Sequence, residues 1–122
     1  MIYTGNFAKM KFIEKVGLTP VSIARQPPLW YKGLEYKALA PRAELLQAYR
    51  FIGDKQFYIK QFNQMLDQLN PRLVYQDLLS MVDGIDVVLL CYEKPTDFCH
   101  RHLVADWFNA NGIPCQEIQN GA

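Results

Sequence analysis

A run of apolar residues in the last third of the chain constrains its fold more than any other feature. The segment VVLLC, from Val87 to Cys91, follows Gly84 after a short interval and contains no charged residue. Five consecutive apolar side chains without alternation are typical of a parallel strand that is buried on both faces. We therefore predict a central strand over residues 85–91, in a sheet that helices cover on both sides.

The order of elements around this strand predicts the fold class. At the amino end, IYTG is typical of a short strand, a helix then ends at Gly17, and a second strand, TPVSIAR, ends at Arg25. At the carboxyl end, a helix capped by Thr96 or Asp97 separates the central strand from a last strand, IPCQEI. This order predicts a single α/β domain over residues 1–122, with a small, mostly parallel sheet flanked by helices.

The middle of the chain predicts an extended connection followed by helices. Residues 26–40 contain two adjacent prolines, which exclude a helix at the start of this segment. A helix with proline in its first turn then runs to Gly53, and Asp54 caps another, which Asn70 and Pro71 end. A further short helix follows. This region is therefore expected to contribute an extended connection and then helices.

Composition and charge exclude several classes of protein. Half of the residues are hydrophobic, and 13 basic against 12 acidic side chains leave a formal charge of +1. This balance gives no electrostatic reason to expect binding to duplex nucleic acid or to an anionic membrane. The longest apolar stretch, which begins at Ile85, is far too short to span a bilayer. We expect no membrane insertion.

The cysteines indicate the compartment. The chain has three of them, an odd number, and it shows no basic-then-apolar leader. This pattern fits a reducing cytosol better than a disulfide framework. We therefore expect a cytoplasmic protein whose three cysteines are all reduced.

The carboxyl edge of the predicted sheet is where a ligand is expected, because parallel sheets bind ligands beyond the carboxyl ends of their strands. Arg25 ends one predicted strand and Cys91 ends another, so the loop RQPPLW and residues 91–101 should converge there. Trp30, in that proline-stiffened loop, is a candidate stacking wall for a base or ring. Such aromatic residues more often cap a core.

The segment LLCYEKPTDFCHRH permits three interpretations, and the first is a metal site. Cys91, Cys99, His100 and His102 offer thiolate and imidazole groups, the usual zinc donors. Cys99 and the two histidines fall within one predicted helical turn, where successive side chains diverge by about 100° and cannot all face one ion. We therefore expect no metal, and the sequence leaves open whether another cofactor binds.

The second interpretation places a reactive thiol or a bound anion at the start of the helix. Cys99 is predicted in the first helical turn, where unpaired amides and the charge of Arg101 favour a thiolate. Glu93 and His100 are available there as acid or base. The same amides, together with Arg25 and Arg101, would equally bind a phosphate or carboxylate. The anion site needs no reactive sulfur and is therefore preferred.

The third interpretation assigns the same residues to the core. Cys99, Leu103 and Trp107 recur four residues apart on one helical stripe. Cys91 and Cys115 lie in predicted strands, where cysteine usually behaves as a small buried residue. The cluster would then have no chemical role.

The stretch LLCYEKPTDFCHRHLVADWF carries C-x-E and then C-H-R at a helix start. With these motifs, and with IYTGNF, VSIARQPP and YKALAPRAELLQAYR elsewhere, the sequence resembles the family called domain of unknown function 488. The resemblance covers most of the chain and supports the fold. Position by position it implies a site formed by Arg25, Cys91, Glu93, Cys99, His100 and Arg101. Many members have an aspartate where this chain has Ile23, so a carboxylate that could orient the strand arginine is missing.

These observations predict a small cytoplasmic α/β protein that binds a small anionic ligand, phosphate- or nucleotide-like, at the carboxyl edge of its sheet. Whether it is an enzyme is left open. The catalytic candidates are Glu93, Cys99 and His100, and the ligand-binding candidates are Arg25, Trp30, Cys91 and Arg101. The alternative is a non-catalytic binding or interaction module whose cysteines are structural. The sequence leaves the oligomeric state open.

Overall fold

A computed structural model of the chain describes residues 1–82, 86–92 and 99–119. Its strands are Ile2–Asn6 (β1), Thr19–Ser22 (β2), Leu34–Glu35 (β3), Val87–Cys91 (β4) and Cys115–Glu117 (β5). Its α-helices are Met10–Lys15 (α1), Ala43–Ile52 (α2), Lys55–Asp67 (α3), Pro71–Met81 (α4) and His100–Ala110 (α5). These strands form one sheet in the order β3-β2-β4-β1-β5, and all neighbouring pairs are parallel. The predicted α/β fold class, with a small parallel sheet flanked by helices, is confirmed.

β4 lies at the centre of this sheet. It pairs with β1, where Ile2 lies opposite Val87, and with β2, where Thr19 lies opposite the same residue. All five of its residues are buried. The predicted central strand is thereby confirmed over Val87–Cys91, while Ile85 lies outside the described residues. β5 is parallel in the same sheet, as predicted for a crossover through α5, but it pairs with β1 and not with β4.

The two faces of the sheet bury separate apolar clusters. On one face, Leu89 of β4 packs with Phe62 of α3 and Phe108 of α5. On the other face, the neighbouring Leu90 packs with Ile13 of α1. Successive side chains of β4 therefore enter different clusters. This explains why the apolar run shows no alternation with polar residues.

A short edge strand lies where the sequence predicts only a connection. β3 pairs with β2, and Leu34 lies opposite Val21. The hydroxyl of Tyr31 donates to the carbonyl oxygen of Leu34 at 2.7 Å, and burial raises the pKa of Tyr31 to about 12, so this donor keeps its proton. A Cβ added at Gly33 would lie 2.6 Å from that hydroxyl oxygen. The sequence predicts an extended connection here and did not identify the strand, because a two-residue strand is too short to show a periodic pattern.

The helix ends agree with the sequence at one position and differ at another. The side chain of Asp54 accepts a hydrogen bond from the amide of Phe57 at 3.0 Å and so caps α3, as predicted. Asn70 does not end that helix. It caps α4, in which Pro71 is the first residue. No helix within the described ranges is long and apolar enough to cross a membrane.

Candidate functional site

A cavity of about 930 Å³ opens beyond the carboxyl ends of β2 and β4. The sequence predicts that Arg25, Cys91, Cys99 and His100 converge at this edge, and all four line the cavity. Most of the remaining wall comes from the loop that follows β2 and from α2. The hydroxyl of Tyr92, which also lines the cavity, donates to a backbone carbonyl of that loop. The cavity is therefore the candidate site.

Two predicted ligand-binding residues, Trp30 and Arg101, do not line this cavity. The ring of Trp30 is more than half exposed and meets Phe7 and Tyr31 edge-on, with ring centroids 6.1 and 6.4 Å apart. Phe7 and Tyr31 belong to the apolar cluster on the α1 face of the sheet. Trp30 therefore caps that cluster and forms no stacking wall for a ligand in this cavity. Glu93, a catalytic candidate, lies outside the described residues.

Among the described residues, three basic side chains line the cavity, and Arg25 is the one that the sequence singles out. Its Nε donates to the carbonyl oxygen of Pro41 at 2.9 Å, which holds the guanidinium at the cavity wall. Lys37 and Arg50 are the other two. Lys37 pairs with Glu35 at 2.9 Å, so part of its charge is balanced. Among the lining residues in the described ranges there is no aspartate or glutamate, so the described part of the wall carries excess positive charge.

Sequence reasoning missed Lys37 and Arg50 as parts of the site. Lys37 lies in a short 3₁₀ turn after β3, and Arg50 lies in the last turn of α2. The ammonium of Lys37 also donates to the carbonyl oxygen of Arg25. The available signal in the sequence was that several scattered basic residues follow the proline-rich loop. It could not show which of them face the cavity.

His100, the first residue of α5, is buried and neutral. Its Nε2 lies 2.7 Å from the carbonyl oxygen of Ile23, and since a carbonyl only accepts, this nitrogen carries the proton. Burial lowers the pKa of His100 to about 4. Nδ1 therefore presents a lone pair, and it lies 3.7 Å from the sulfur of Cys99. The imidazole is arranged to accept a proton or to bind a metal.

Cys99 precedes α5 and does not lie in its first turn. It is the N-cap, with an extended backbone at φ −151° and ψ 148°, so the prediction of a helical position is wrong. The alternative caps, Thr96 and Asp97, lie outside the described residues. The extended backbone turns the thiol of Cys99 toward the end of β4, where it meets Cys91. The two predicted site cysteines are thus brought together.

Cys91 and Cys99 form a disulfide in this structure. The expectation that all three cysteines are reduced is therefore wrong for this pair. Both are buried at the floor of the cavity, and their Cα atoms are 7.4 Å apart. Cys115 is free and buried in the core, as the third interpretation expects, and burial raises the pKa of its thiol to about 12.

Arg101 follows His100 in the chain and is completely buried away from the cavity. Its Nε and Nη2 donate to the two carboxylate oxygens of Glu117 at 3.0 and 3.1 Å. The hydroxyl of Thr4 donates to the same carboxylate at 2.7 Å. The remaining arm of Arg101, Nη1, donates to the sulfur of Cys91 at 3.1 Å. The predicted anion-binding role of Arg101 does not fit this geometry, because a carboxylate of the protein already occupies its fork.

Comparison with known protein families covers most of the chain. A family profile described as the active DUF488-N3 subclade matches residues 12–112. The chain belongs to the DUF488 family. The resemblance inferred from C-x-E and C-H-R is thereby confirmed. No curated protein and no solved structure gives a significant match.

Some of the residues just described lie inside the DUF488 match and others lie outside it. It includes every residue that lines the cavity, and it includes Cys91 and Arg101. It excludes Thr4 and Glu117, which complete the buried network around Arg101. The cavity is therefore built wholly from the DUF488 region, while that arginine is neutralised by a strand outside the matched residues.

Proposed function

We propose that this DUF488 protein binds a small anionic ligand, phosphate- or nucleotide-like, in the cavity at the carboxyl edge of its sheet. The observation that carries the proposal is the charge of the wall. Arg25, Lys37 and Arg50 line it, and within the described ranges no acidic side chain does. Because the cavity is partly enclosed by protein, its charges are less screened than charges on an open surface.

The size and position of the cavity support the same proposal. A volume of about 930 Å³ lies within the range of pockets that hold drug-sized molecules and cofactors, so a nucleotide fits. The start of α5 forms part of the wall through Cys99 and His100. The first amides of a helix lack partners within it, and they favour an anion near this end. The arginines and the amino end of α5 therefore both favour the binding of an anion.

The binding residues proposed here differ from those that the C-H-R motif implies. Arg101 is bound to Glu117 and is left out. Arg50 takes its place, because it lines the cavity and no ion pair is found for it among the described residues. The anion is thus held from the β2 loop and from α2, with the disulfide of Cys91 and Cys99 beneath it.

Titration calorimetry with inorganic phosphate, pyrophosphate and nucleoside mono- and triphosphates tests this proposal. Charge-assisted hydrogen bonds contribute roughly 1.5–3 kcal/mol each. Arg25→Ala and Arg50→Ala should therefore each weaken binding by about ten- to a hundredfold, with the fold unchanged. Arg72→Ala is the matched control, because Arg72 is exposed on α4 and does not line the cavity. The proposal fails if none of these anions binds, or if Arg72→Ala weakens binding as much as Arg25→Ala.

Catalysis at Cys99 is a second candidate function, and one contact favours it. When the disulfide is reduced, the lone pair on His100 Nδ1 lies beside the Cys99 thiol, where it can accept a hydrogen bond from the thiol and its proton as the sulfur attacks a substrate. The anions that bind in the calorimeter should be incubated with reduced wild-type protein and with Cys99→Ser. Product formed by the wild type alone identifies an enzyme. A ligand that both proteins bind and return unchanged identifies a binding module.

A further inference from the structure

We propose that Cys91, Cys99 and His100, in the reduced protein, form a three-ligand site for a thiophilic divalent metal of the zinc class. Cys91 and Cys99 would bind through their sulfurs and His100 through Nδ1. The site adjoins the proposed anion cavity, but its three protein ligands would bind a metal whether or not an anion is present. Either of the two proposals can therefore be wrong while the other is right.

The three donor atoms already lie in one small volume. The two sulfurs and a ring nitrogen of His100 are all within 4.8 Å of one another. Tetrahedral zinc, with bonds of about 2.3 Å to sulfur and about 2.0 Å to nitrogen, separates its ligand atoms by roughly 3.6–3.8 Å. The distance from Cys99 sulfur to His100 Nδ1 is 3.7 Å. Small rotations of the two thiol groups would open space for the ion.

The backbone spacing of the cysteines also suits a shared metal. Their Cα atoms are 7.4 Å apart, whereas the usual range for a disulfide is about 4.4–6.8 Å. Two thiolates that bind one ion stand farther apart than two bonded sulfurs. The end of β4 and the N-cap of α5 therefore hold these residues at a separation that a metal fills without drawing the two elements together.

Neighbouring groups already orient the proposed ligands. The bond from His100 Nε2 to the carbonyl oxygen of Ile23 fixes the ring and leaves Nδ1 as the free nitrogen. Metal-binding histidines commonly donate their other ring proton in this way. Arg101 donates to the sulfur of Cys91 at 3.1 Å, which favours the thiolate form of that ligand. Two of the three ligands thus have supporting hydrogen bonds.

The objection to a metal that the sequence raises does not apply to this set. That objection assumes that the ligands diverge around one helical turn. Cys91 comes from a strand, and Cys99 has an extended backbone before α5 begins, so only His100 belongs to the helix. His102, two residues farther along α5, is not part of the cluster.

The fourth coordination position would face the cavity, because all three ligands line it. Three protein ligands and one open position are typical of catalytic zinc sites, whereas structural sites are closed by a fourth protein ligand. Water, hydroxide or an oxygen of the anion held by Arg25 would occupy the open position. The metal and the basic wall would then act on the same bound molecule.

Formation of the site requires reduction of the disulfide. A phosphine reductant supplies two electrons and water supplies two protons, so the Cys91–Cys99 bond becomes two thiols while the phosphine takes the oxygen of that water and becomes a phosphine oxide. Metal binding then displaces the thiol protons. The oxidised and metal-bound proteins are thus alternative states of one pair of cysteines.

Cobalt(II) is the probe, added to reduced protein in a metal-free, oxygen-free buffer that does not bind metals. We expect one cobalt per chain, with a sulfur-to-cobalt charge-transfer band and the visible spectrum of a tetrahedral ion, and displacement of cobalt by zinc. Cys115→Ser and His102→Gln are the matched controls, since each changes a residue of the same type outside the cluster, and both should keep the spectrum. Arg25→Ala should keep it too, which separates this result from the anion proposal.

Three variants test the ligand assignment. Cys91→Ser and Cys99→Ser should each lose most of the charge-transfer band, and His100→Gln should weaken cobalt binding at least tenfold. Far-UV circular dichroism checks that each variant folds. Wild-type protein with its disulfide intact is a further control, because it carries no substitution and should bind no cobalt. The proposal is overturned if reduced wild-type protein shows no thiolate-to-cobalt band, or if the band survives in both folded cysteine variants.

Discussion

Two adjacent residues at the start of α5 face opposite flanks of the helix and serve different parts of the protein. His100 reaches the carbonyl oxygen of Ile23 beside β2 and lines the cavity. Arg101 reaches Glu117 in β5 and is completely buried. A motif that is continuous in the sequence is therefore divided between a cavity wall and a structural network.

The two regions also differ in how their charges are compensated. The guanidinium of Arg101 meets both oxygens of one carboxylate, so the buried network is close to neutral. The cavity contains Arg25 and Arg50 without a carboxylate partner among the described residues. A buried charge must be paired within the protein, while unpaired charge at an open cavity can be compensated by a ligand. The difference separates a residue that stabilises the fold from one that is available for binding.

Removal of Arg101 should produce the largest loss of stability. Arg101→Ala leaves the carboxylate of Glu117 partly buried without its partner and opens space in the core. Breaking a buried ion pair in this way costs about 3–5 kcal/mol. Arg25→Ala, at the cavity wall, should change the free energy of unfolding by less than about 0.5 kcal/mol. Urea unfolding of both variants checks the contrast, and equal losses would contradict the division into two regions.

His100 should make the oxidised, metal-free protein less stable in acid. Its pKa falls from the ordinary value of 6.5 to about 4 in the folded state, because burial disfavours the charged ring. The unfolded chain therefore binds the proton first, and the stabilisation is complete above about pH 6.5 and lost as the pH falls toward 4. The shift corresponds to about 3 kcal/mol.

The matched variant for this pH effect is His100→Gln, which does not titrate. Denaturant unfolding from pH 7 to pH 4 should show that the wild type loses more stability than the variant does, with the difference developing between pH 6.5 and 4. Parallel curves for the two proteins would show that His100 does not titrate as its burial implies.

Trp30 should have a smaller effect on stability than Arg101 or His100, and it tests where the cavity ends. Trp30→Ala removes edge contacts with Phe7 and Tyr31 from a ring that is already more than half exposed. A loss of about 0.5–1.5 kcal/mol is expected. Anion affinity should not change, because the indole does not line the cavity. Calorimetry that shows a tenfold loss of affinity would return Trp30 to the site as a stacking wall.

The fold was largely predictable from local patterns. The apolar run of β4 indicates a strand buried on both faces, and Asp54 marks the start of α3 through its own side chain. Both signals arise within a few consecutive residues. β3 was missed because it has only two residues, and Asn70 was assigned to the wrong helix because a cap and a terminator use the same residue type.

The position of the candidate site could be predicted from the sequence, but not every residue that lines it. Parallel strands bring Arg25 and Cys91 to one edge, and they do lie there. Arg50 comes from a helix whose rotation depends on the packing of α2 against α3, so its place in the cavity wall could not be predicted from spacing. Spacing could not decide for the same reason between the two interpretations of Trp30, a stacking wall and a cap on the core.

The sequence by itself determined that this chain forms a parallel sheet with Arg25 and Cys91 at its carboxyl edge, because hydrophobic runs and strand direction are local properties of the chain. Only the tertiary structure decided that Arg101 binds Glu117 and that Cys99 meets Cys91 and His100. Hydrogen bonds and ion pairs act over about 3 Å, and the residues that come this close are chosen by the packing of β4, β5 and α5. The number of residues between two side chains in the sequence does not specify whether they come into contact.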